Sequence, residues 1–194
     1  VGSGRLLVCT LDIQTDLDKR PAAAALRRSL IGYMSRDAFA PKYEIDLETL
    51  RPLFQKPATS VVRVDSQARG YEGENAVDGN PATIWHTPWE KNPAPYPHEL
   101  VMKLRDPLKV KGMTLVPRQD IANGFINEYE VYVSKDGKDW GKPAAQGNLK
   151  KDAQTKEIAF DKARTGQYIK FIAKSGHDGQ CFCAIAELEP VSGK

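Results

Sequence analysis

The sequence predicts an all-β sandwich or jelly roll over residues 59–194, preceded by a short strand–helix segment. Three observations predict it. Beyond residue 58, short runs rich in Val, Ile, Tyr and Phe alternate with turn clusters. The run Glu128–Ser134 alternates strictly, with Tyr129, Val131 and Val133 on one face and Glu128, Glu130 and Tyr132 on the other, the period of a half-buried strand. No convincing helical period follows residue 58, which leaves antiparallel layers as the architecture. A segment of roughly 135 residues can bury about 65–70% of its unfolded surface, enough for its own core.

The elements read in order as follows. Arg5–Leu11 (RLLVCTL) is an apolar run of buried-strand type. After the polar stretch Asp12–Lys19, the segment PAAAALRRSLIGYMS reads as a helix: Pro21 suits a first helical position, the alanines have the highest propensity, and Leu26, Leu30, Tyr33 and Met34 form one apolar stripe. Asp37 and Pro41 close it. One strand and one helix cannot bury a core, so residues 1–43 read as the tail of an upstream domain, and residues 44–58, with Pro52 and Pro57, as a linker. Seven strands are predicted after that: Ser60–Val64, Glu99–Leu104, Leu108–Val116, Glu128–Ser134, Thr155–Phe160, Gln167–Ala173 and Phe182–Glu189. Asp136-Gly137 supplies turn chemistry after the fourth. Trp85 and Trp140 are expected in the core, where large aromatics most often lie.

Composition narrows the functions. The 194 residues are 41% hydrophobic and 27% charged, which excludes a disordered chain. The longest apolar stretch, Leu6–Thr10, falls far short of the roughly 20 residues a membrane-spanning helix needs. A net charge of +3, with no basic run beyond two residues, predicts neither a nucleic-acid partner nor an acidic membrane. Cys9, Cys181 and Cys183 make no disulfide framework, and the Cys-x-Cys pair lacks a second Cys or His pair at zinc spacing. The chain opens Val-Gly-Ser-Gly and reads as a piece of a longer protein.

The informative stretch is Asn75-Ala-Val-Asp-Gly-Asn-Pro-Ala-Thr-Ile-Trp-His-Thr-Pro-Trp89, followed by Tyr96-Pro-His-Glu-Leu, Val131-Tyr-Val-Ser-Lys-Asp-Gly-Lys-Asp-Trp140, Tyr168-Ile-Lys-Phe and Ala184-Ile-Ala-Glu-Leu. In order and spacing this series resembles the discoidin (F5/8 type C) domain, and most of all the family 32 carbohydrate-binding modules attached to bacterial glycoside hydrolases. The resemblance covers nearly all of residues 59–194. It implies a discoidin-like, eight-stranded β-sandwich jelly roll, a structural cation, and a sugar site on loops at one end.

The residues themselves bear on both expected sites. Asp78, Asn80 and Thr83 crowd oxygen donors into six residues of loop, and Glu187 lies on the last strand. Calcium takes six to eight oxygen ligands, mixing carboxylates with carbonyls. Read alone, these residues fit a turn and a surface charge better than a cation site. The resemblance places the Asp78 loop beside Ala186 and Glu187 and implies Ca2+, or Na+, held by Asp78, Asn80, Thr83, Ala186 and Glu187. A neutral sugar is gripped by planar hydrogen-bonding groups and an aromatic ring against its C–H face. The resemblance maps that set onto His86, Trp89, Arg118 and Phe182, with Asn123 as a further polar contact, and implies galactose-type ligands. Two departures stand out. Related galactose binders often carry an acidic residue where this chain has Gly124, and the loop Arg69–Glu74 is short, which leaves roles for Tyr71 and Glu72 open. Residue by residue, a solvated His86, an Arg118–Asp120 surface ion pair and a core Phe182 are the competing readings.

Catalysis is not expected. A glycosidase needs two carboxylates about 5–10 Å apart across the scissile bond. The acidic pairs Glu72/Glu74 and Glu128/Glu130 read as solvated loop and strand faces, and three histidines, His86, His98 and His177, form no motif. The N-terminal stretches Gly4–Asp12 and Arg20–Met34 are similar to the tail of the core region of bacterial family 2 glycoside hydrolases of the β-galactosidase type. That implies a periplasmic, secreted or cell-surface parent hydrolase as the covalent partner. The expected function is thus a non-catalytic module that binds galactose-containing or related glycans and targets its enzyme to them. The alternative is a structural, protein-docking discoidin module without glycan binding. A membrane-inserting role finds no basic apolar spike, since Glu90-Lys91-Asn92-Pro93 follows Trp89.

Overall fold

The computed structural model describes residues 5–46, 58–90 and 93–193, the side chain of Asp178 excepted. It divides into two units, Val1–Gln55 and Lys56–Lys194. Most of the expected linker, residues 47–57, lies outside the described residues.

In the first unit the helix forms as expected, as α1 (Pro21–Met34), with proline at its first turn. Leu26 and Leu30 are half-buried, while Tyr33 and Met34 stay exposed. The expected strand at Arg5–Leu11 does not form, and most of its side chains are exposed. A strand needs a neighbour for its N–H and C=O groups, and the described residues of this unit supply none. Instead Asp12 organises the turn: its carboxylate accepts from the Gln14 and Thr15 amides, and Arg20 donates to its Oδ2 at 2.7 Å. Phe39 is the only fully buried side chain among the described residues here, with Tyr33 edge-on at 5.3 Å.

The second unit is all-β, with β1 (Thr59–Val64), β2 (Trp85–His86), β3 (His98–Pro117), β4 (Glu128–Ser134), β5 (Ala145–Asn148), β6 (Lys156–Ala173) and β7 (Ala184–Ser192), all pairs antiparallel. Two expected pairs of strands merge. Glu99–Leu104 and Leu108–Val116 are one strand, β3, and Thr155–Phe160 and Gln167–Ala173 are one strand, β6. Arg105-Asp106-Pro107 bends the chain without ending it, and the β3–β6 register shifts there, between Lys103 and Leu108. Each long strand therefore serves two layers. Its Val101–Lys103 stretch sits between β1 and the end of β6, while Val110–Pro117 pairs with β7. Gly166 stands opposite Leu108 at this bend, where an added Cβ would lie 2.5 Å from Val133 and 2.6 Å from the Ser134 carbonyl. Only glycine fits.

Both layers face one core. Leu100, Met102 and Leu104 from the first half of β3 meet Met113 and Leu115 from the second, with Val131, Ile158, Ile169, Phe171, Ile185 and Leu188. Trp85 is wholly buried among them, its indole N–H donating to the Ser66 carbonyl at 3.0 Å. Trp140 departs from expectation. It is half-buried outside the core, with the Lys170 ammonium 4.6 Å over its ring, where a cation–π contact replaces packing. The three cysteines are free thiols.

Candidate functional site

Strand β2 is two residues long, and its alternation sends Trp85 inward and His86 toward the loops at one end of the sandwich. Pairing with Ala184 on β7 fixes the His86 backbone, and the Ala68 amide bonds to its carbonyl at 2.8 Å. The imidazole is 3% exposed, because three rings surround it: Trp89 at 4.6 Å, Phe182 at 5.1 Å and Tyr71 at 6.0 Å between centroids. Tyr71 and Trp89 also meet edge-on at 5.5 Å and form the exposed rim. Phe182, expected to open the last strand, sits on the loop before β7 and is half-buried.

His86 Nδ1–H donates to the Thr87 carbonyl at 2.5 Å. This fixes the tautomer and leaves Nε2 as an acceptor. Nε2 has no partner among the described residues and still touches solvent. Burial above all, with the Arg118 charge adding to it, holds the His86 pKa below the ordinary histidine value. The ring is neutral at pH 7.

Arg118 directly follows β3 on the same loop face and is buried. Asp120 grips it in a fork, Nε to Oδ1 and Nη2 to Oδ2, both 2.7 Å, and Asn123 Oδ1 accepts from Nη1 at 2.8 Å. The guanidinium holds the Asp120 carboxyl down at about 2. So the ion pair expected as a competing reading exists, and it serves to aim Arg118. Among the described residues three of its five N–H donors are engaged, leaving one on each terminal nitrogen. Gly124 explains its own departure. Its φ is +69°, and an added Cβ would lie 3.2 Å from Ala184, so an acidic side chain has no room there. Beside the cup, a cleft of about 700 Å3 runs between Tyr71 and Asp120 toward Thr83 and Ile84.

The five expected sugar residues thus gather at one end of the sandwich, His86, Trp89 and Phe182 ring against ring and Arg118 bonded to Asn123. Tyr71, left open by the sequence, joins them because its backbone carbonyl accepts the His86 amide at 3.2 Å. The acidic pairs are engaged elsewhere: Glu72 accepts the Gly70 amide, and Lys174 and Tyr132 hold Glu130 below the usual carboxylate range.

Of the expected cation ligands, Asp78, Asn80 and Thr83 come together in one loop with Glu187 beside them. Thr83 Oγ1 lies 2.7 Å from both Asp78 Oδ2 and the Asn80 carbonyl. Glu187 is buried on β7, and neither of its carboxylate oxygens has a hydrogen-bond partner among the described residues. Burial first, and then the neighbouring Asp78 carboxylate, push its pKa up to about 7. An orphaned buried carboxylate facing a second one is costly unless a cation joins them. Among the described residues no group of three or more His, Cys, Asp or Glu forms, so carbonyl and hydroxyl oxygens would complete the set, as a hard cation prefers. The donors fit such an ion.

Residues 57–188 match the F5/8 type C domain family, and residues 1–55 match a domain of unknown function (DUF8487). A sialidase of Micromonospora viridifaciens is 35% identical over 141 residues, 71% of this chain and 22% of its own length. A galactose oxidase of Gibberella zeae is 38% identical over 129 residues, 66% of this chain and 19% of its own. The chain therefore spans about a fifth of each relative. The family 32 carbohydrate-binding module of Clostridium perfringens NanJ, solved in complex with galactose, superposes with a TM-score of 0.61 at 28% identity, covering 69% of this chain and 93% of the module.

Proposed function

The chain belongs to the F5/8 type C domain family, and from that premise we propose that it is a non-catalytic carbohydrate-binding module for terminal galactose or a related sugar. One observation carries the reading. The His86 Nε2 acceptor and the buried double donor Arg118, close enough for their charges to interact, lie beneath an open rim of Trp89 and Tyr71 with half-buried Phe182 beside them. Such a cup matches a pyranose: the rings take its C–H face, and the imidazole and guanidinium take adjacent hydroxyls from opposite hydrogen-bonding roles. The galactose held by the NanJ module supports the choice of sugar. The cleft beside Tyr71 and Asp120 gives room for the next sugar of a glycan chain.

The reading extends to the parent protein. The sialidase and galactose oxidase relatives support a glycan-directed parent, and the N-terminal resemblance supports a bacterial family 2 glycoside hydrolase whose core would end in residues 1–43. Secretion or export to the periplasm or cell surface follows from glycan substrates. The module would raise the enzyme's local concentration on them. Asp78, Asn80, Thr83, Ala186 and Glu187 would hold a structural Ca2+ or Na+, which would neutralise Glu187 and stiffen the loop leading to His86.

A glycan array with the full chain tests the reading. Signal on galactose-terminated glycans, lost in His86→Ala while the chain stays folded, is the expected result. A folded chain that lights no glycan refutes it in favour of a docking module.

A further inference from the structure

The loop that carries Phe182 is pinned at three successive residues by side chains from other elements. The Cys181 carbonyl accepts from His98 Nε2 at 2.6 Å, and the Phe182 carbonyl accepts from the Tyr96 hydroxyl at 2.7 Å. The Cys183 amide donates to Thr87 Oγ1 at 3.0 Å, and the Thr87 amide donates back to the Cys183 carbonyl at 3.1 Å. The loop has little freedom left, and Phe182 is one of the three rings against His86.

His98 opens β3 and has no solvent exposure. Its Nδ1 faces Asp65 Oδ2 at 2.8 Å, so the ring lies between a carboxylate and a carbonyl. The Asp65 carboxylate has its other partners in the Glu99 amide at 2.7 Å and the Ser66 hydroxyl at 2.9 Å. A neutral imidazole carries one N–H, so one nitrogen lone pair would face an oxygen lone pair in the interior. Both contacts are hydrogen bonds only when both nitrogens are protonated.

We propose that His98 is a buried imidazolium strut, a positioning residue that with Tyr96 holds Phe182 in the glycan cup and makes galactose affinity fall on the alkaline side. The proposal rests on the glycan-binding reading above. Burial opposes the charge, but the bonds to Asp65 and Cys181 and the Asp65 charge outweigh it and raise the His98 pKa above its ordinary value. The strut is therefore complete below about pH 6.5 and is lost as pH rises through the raised value.

The other titratable groups around the ring are few. Burial raises the pKa of both Tyr96, whose ring is 4.8 Å away, and Cys183, so both stay neutral through the window. Asp65 stays ionised, its pKa lowered by the His98 bond against the cost of burial. Glu99 is turned to Arg63 and Lys170, and His86 is neutral. Cys181, whose carbonyl meets the ring, carries an exposed free thiol.

Ring-nitrogen NMR of His98 and calorimetric titration with galactose, both from pH 6 to pH 10 on the full chain, test this. At pH 6 both ring nitrogens should be protonated, and galactose affinity should fall at least about ten-fold in the same pH step in which His98 loses its proton, as expected for one lost charge-assisted bond. His98→Gln should flatten that step, and Cys181→Ser should keep it. Tyr96→Phe, which removes one hydroxyl and tests the clamp without disturbing the ion pair, should weaken galactose about five-fold at pH 7. A singly protonated ring at pH 6, an affinity that ignores the His98 titration, or a Tyr96→Phe chain that binds as the wild type overturns the proposal. A doubly protonated ring in a chain that binds no galactose refutes the glycan reading, and the positioning role with it.

Discussion

Replacing Arg118 separates recognition from stability in one experiment. Of its five N–H groups, Asp120 and Asn123 take three, so two remain for the sugar. A hydrogen bond from a charged donor contributes about 1.5–3 kcal/mol. A single monosaccharide site of sub-millimolar affinity has only about 4–5 kcal/mol in all. Arg118→Ala should therefore weaken galactose by at least about 100-fold and carry it beyond calorimetric reach. Arg118→Lys keeps the charge but not the fork, cannot bridge Asp120 and Asn123 together, and should lose about ten-fold. The stability cost should be small. The Asp120 side chain is 63% exposed, so solvent screens the broken ion pair, and about 1 kcal/mol, or roughly 3 °C in melting temperature, is expected. Isothermal titration calorimetry and thermal melts on the same samples give both numbers. A dissociation constant for Arg118→Ala within three-fold of wild type refutes the role in binding. A fall of more than about 10 °C would show instead that Arg118 is a strut whose loss empties the site by unfolding it.

Two more predictions concern the other groups. Chelation should lower the melting temperature and calcium should restore it, by about 8–10 °C at a concentration near one hundred times the dissociation constant; Glu187→Gln should abolish that response, and a melt indifferent to both chelator and calcium would remove the cation from the account. The lowered His86 pKa means that the unfolded chain binds its proton first, so stability from the neutral ring is present above about pH 6.5 and fades as pH falls through the folded value. Galactose affinity should fall over the same acid limb, because protonation removes the Nε2 acceptor, while Asp120, at about 2, stays ionised throughout. An affinity flat through the pH at which NMR shows the His86 ring taking up its proton would contradict the acceptor role, and His86→Gln, which keeps an acceptor without titrating, should show that flat profile.

How much of this the sequence made legible varied with the physics of each element. Strand β4 was read to the residue because its two faces differ in polarity, as strand pairing against a core requires. Strand β5, Ala145–Asn148, was missed: it has neither β-branched nor aromatic residues and exists because Glu128–Val131 offers it an edge. The merged strands were missed for the opposite reason. Asp106-Pro107 carries turn chemistry, and only the partner β6 decides that the chain bends and goes on. At Arg5–Leu11 the apolar pattern was real but no partner strand stands among the described residues of its unit. At the site, the resemblance to the family, and not any residue read alone, brings His86, Trp89, Arg118, Asn123 and Phe182 forward. What the order could not show is which donors are already spent. The Asp120 fork, the Thr87 carbonyl and the orphaned Glu187 oxygens are facts of distance.

Those distances bear on how so small a site could bind at all. A monosaccharide offers little area, and each flexible side chain it must immobilise costs about 0.5–1.5 kcal/mol. Here the ordering precedes the ligand. Asp120 and Asn123 hold the guanidinium, Thr87 holds the imidazole, and His98 and Tyr96 hold the loop under Phe182. Trp89 and Tyr71 brace each other edge-on. The free chain has therefore already given up the rotamer freedom that binding would otherwise consume, and the folding energy of the sandwich bears that cost. It follows that mutations behind the cup, at Asp120 or Tyr96, should weaken galactose through its association entropy, leaving the binding enthalpy less changed, whereas His86→Ala and Arg118→Ala should strike the enthalpy directly.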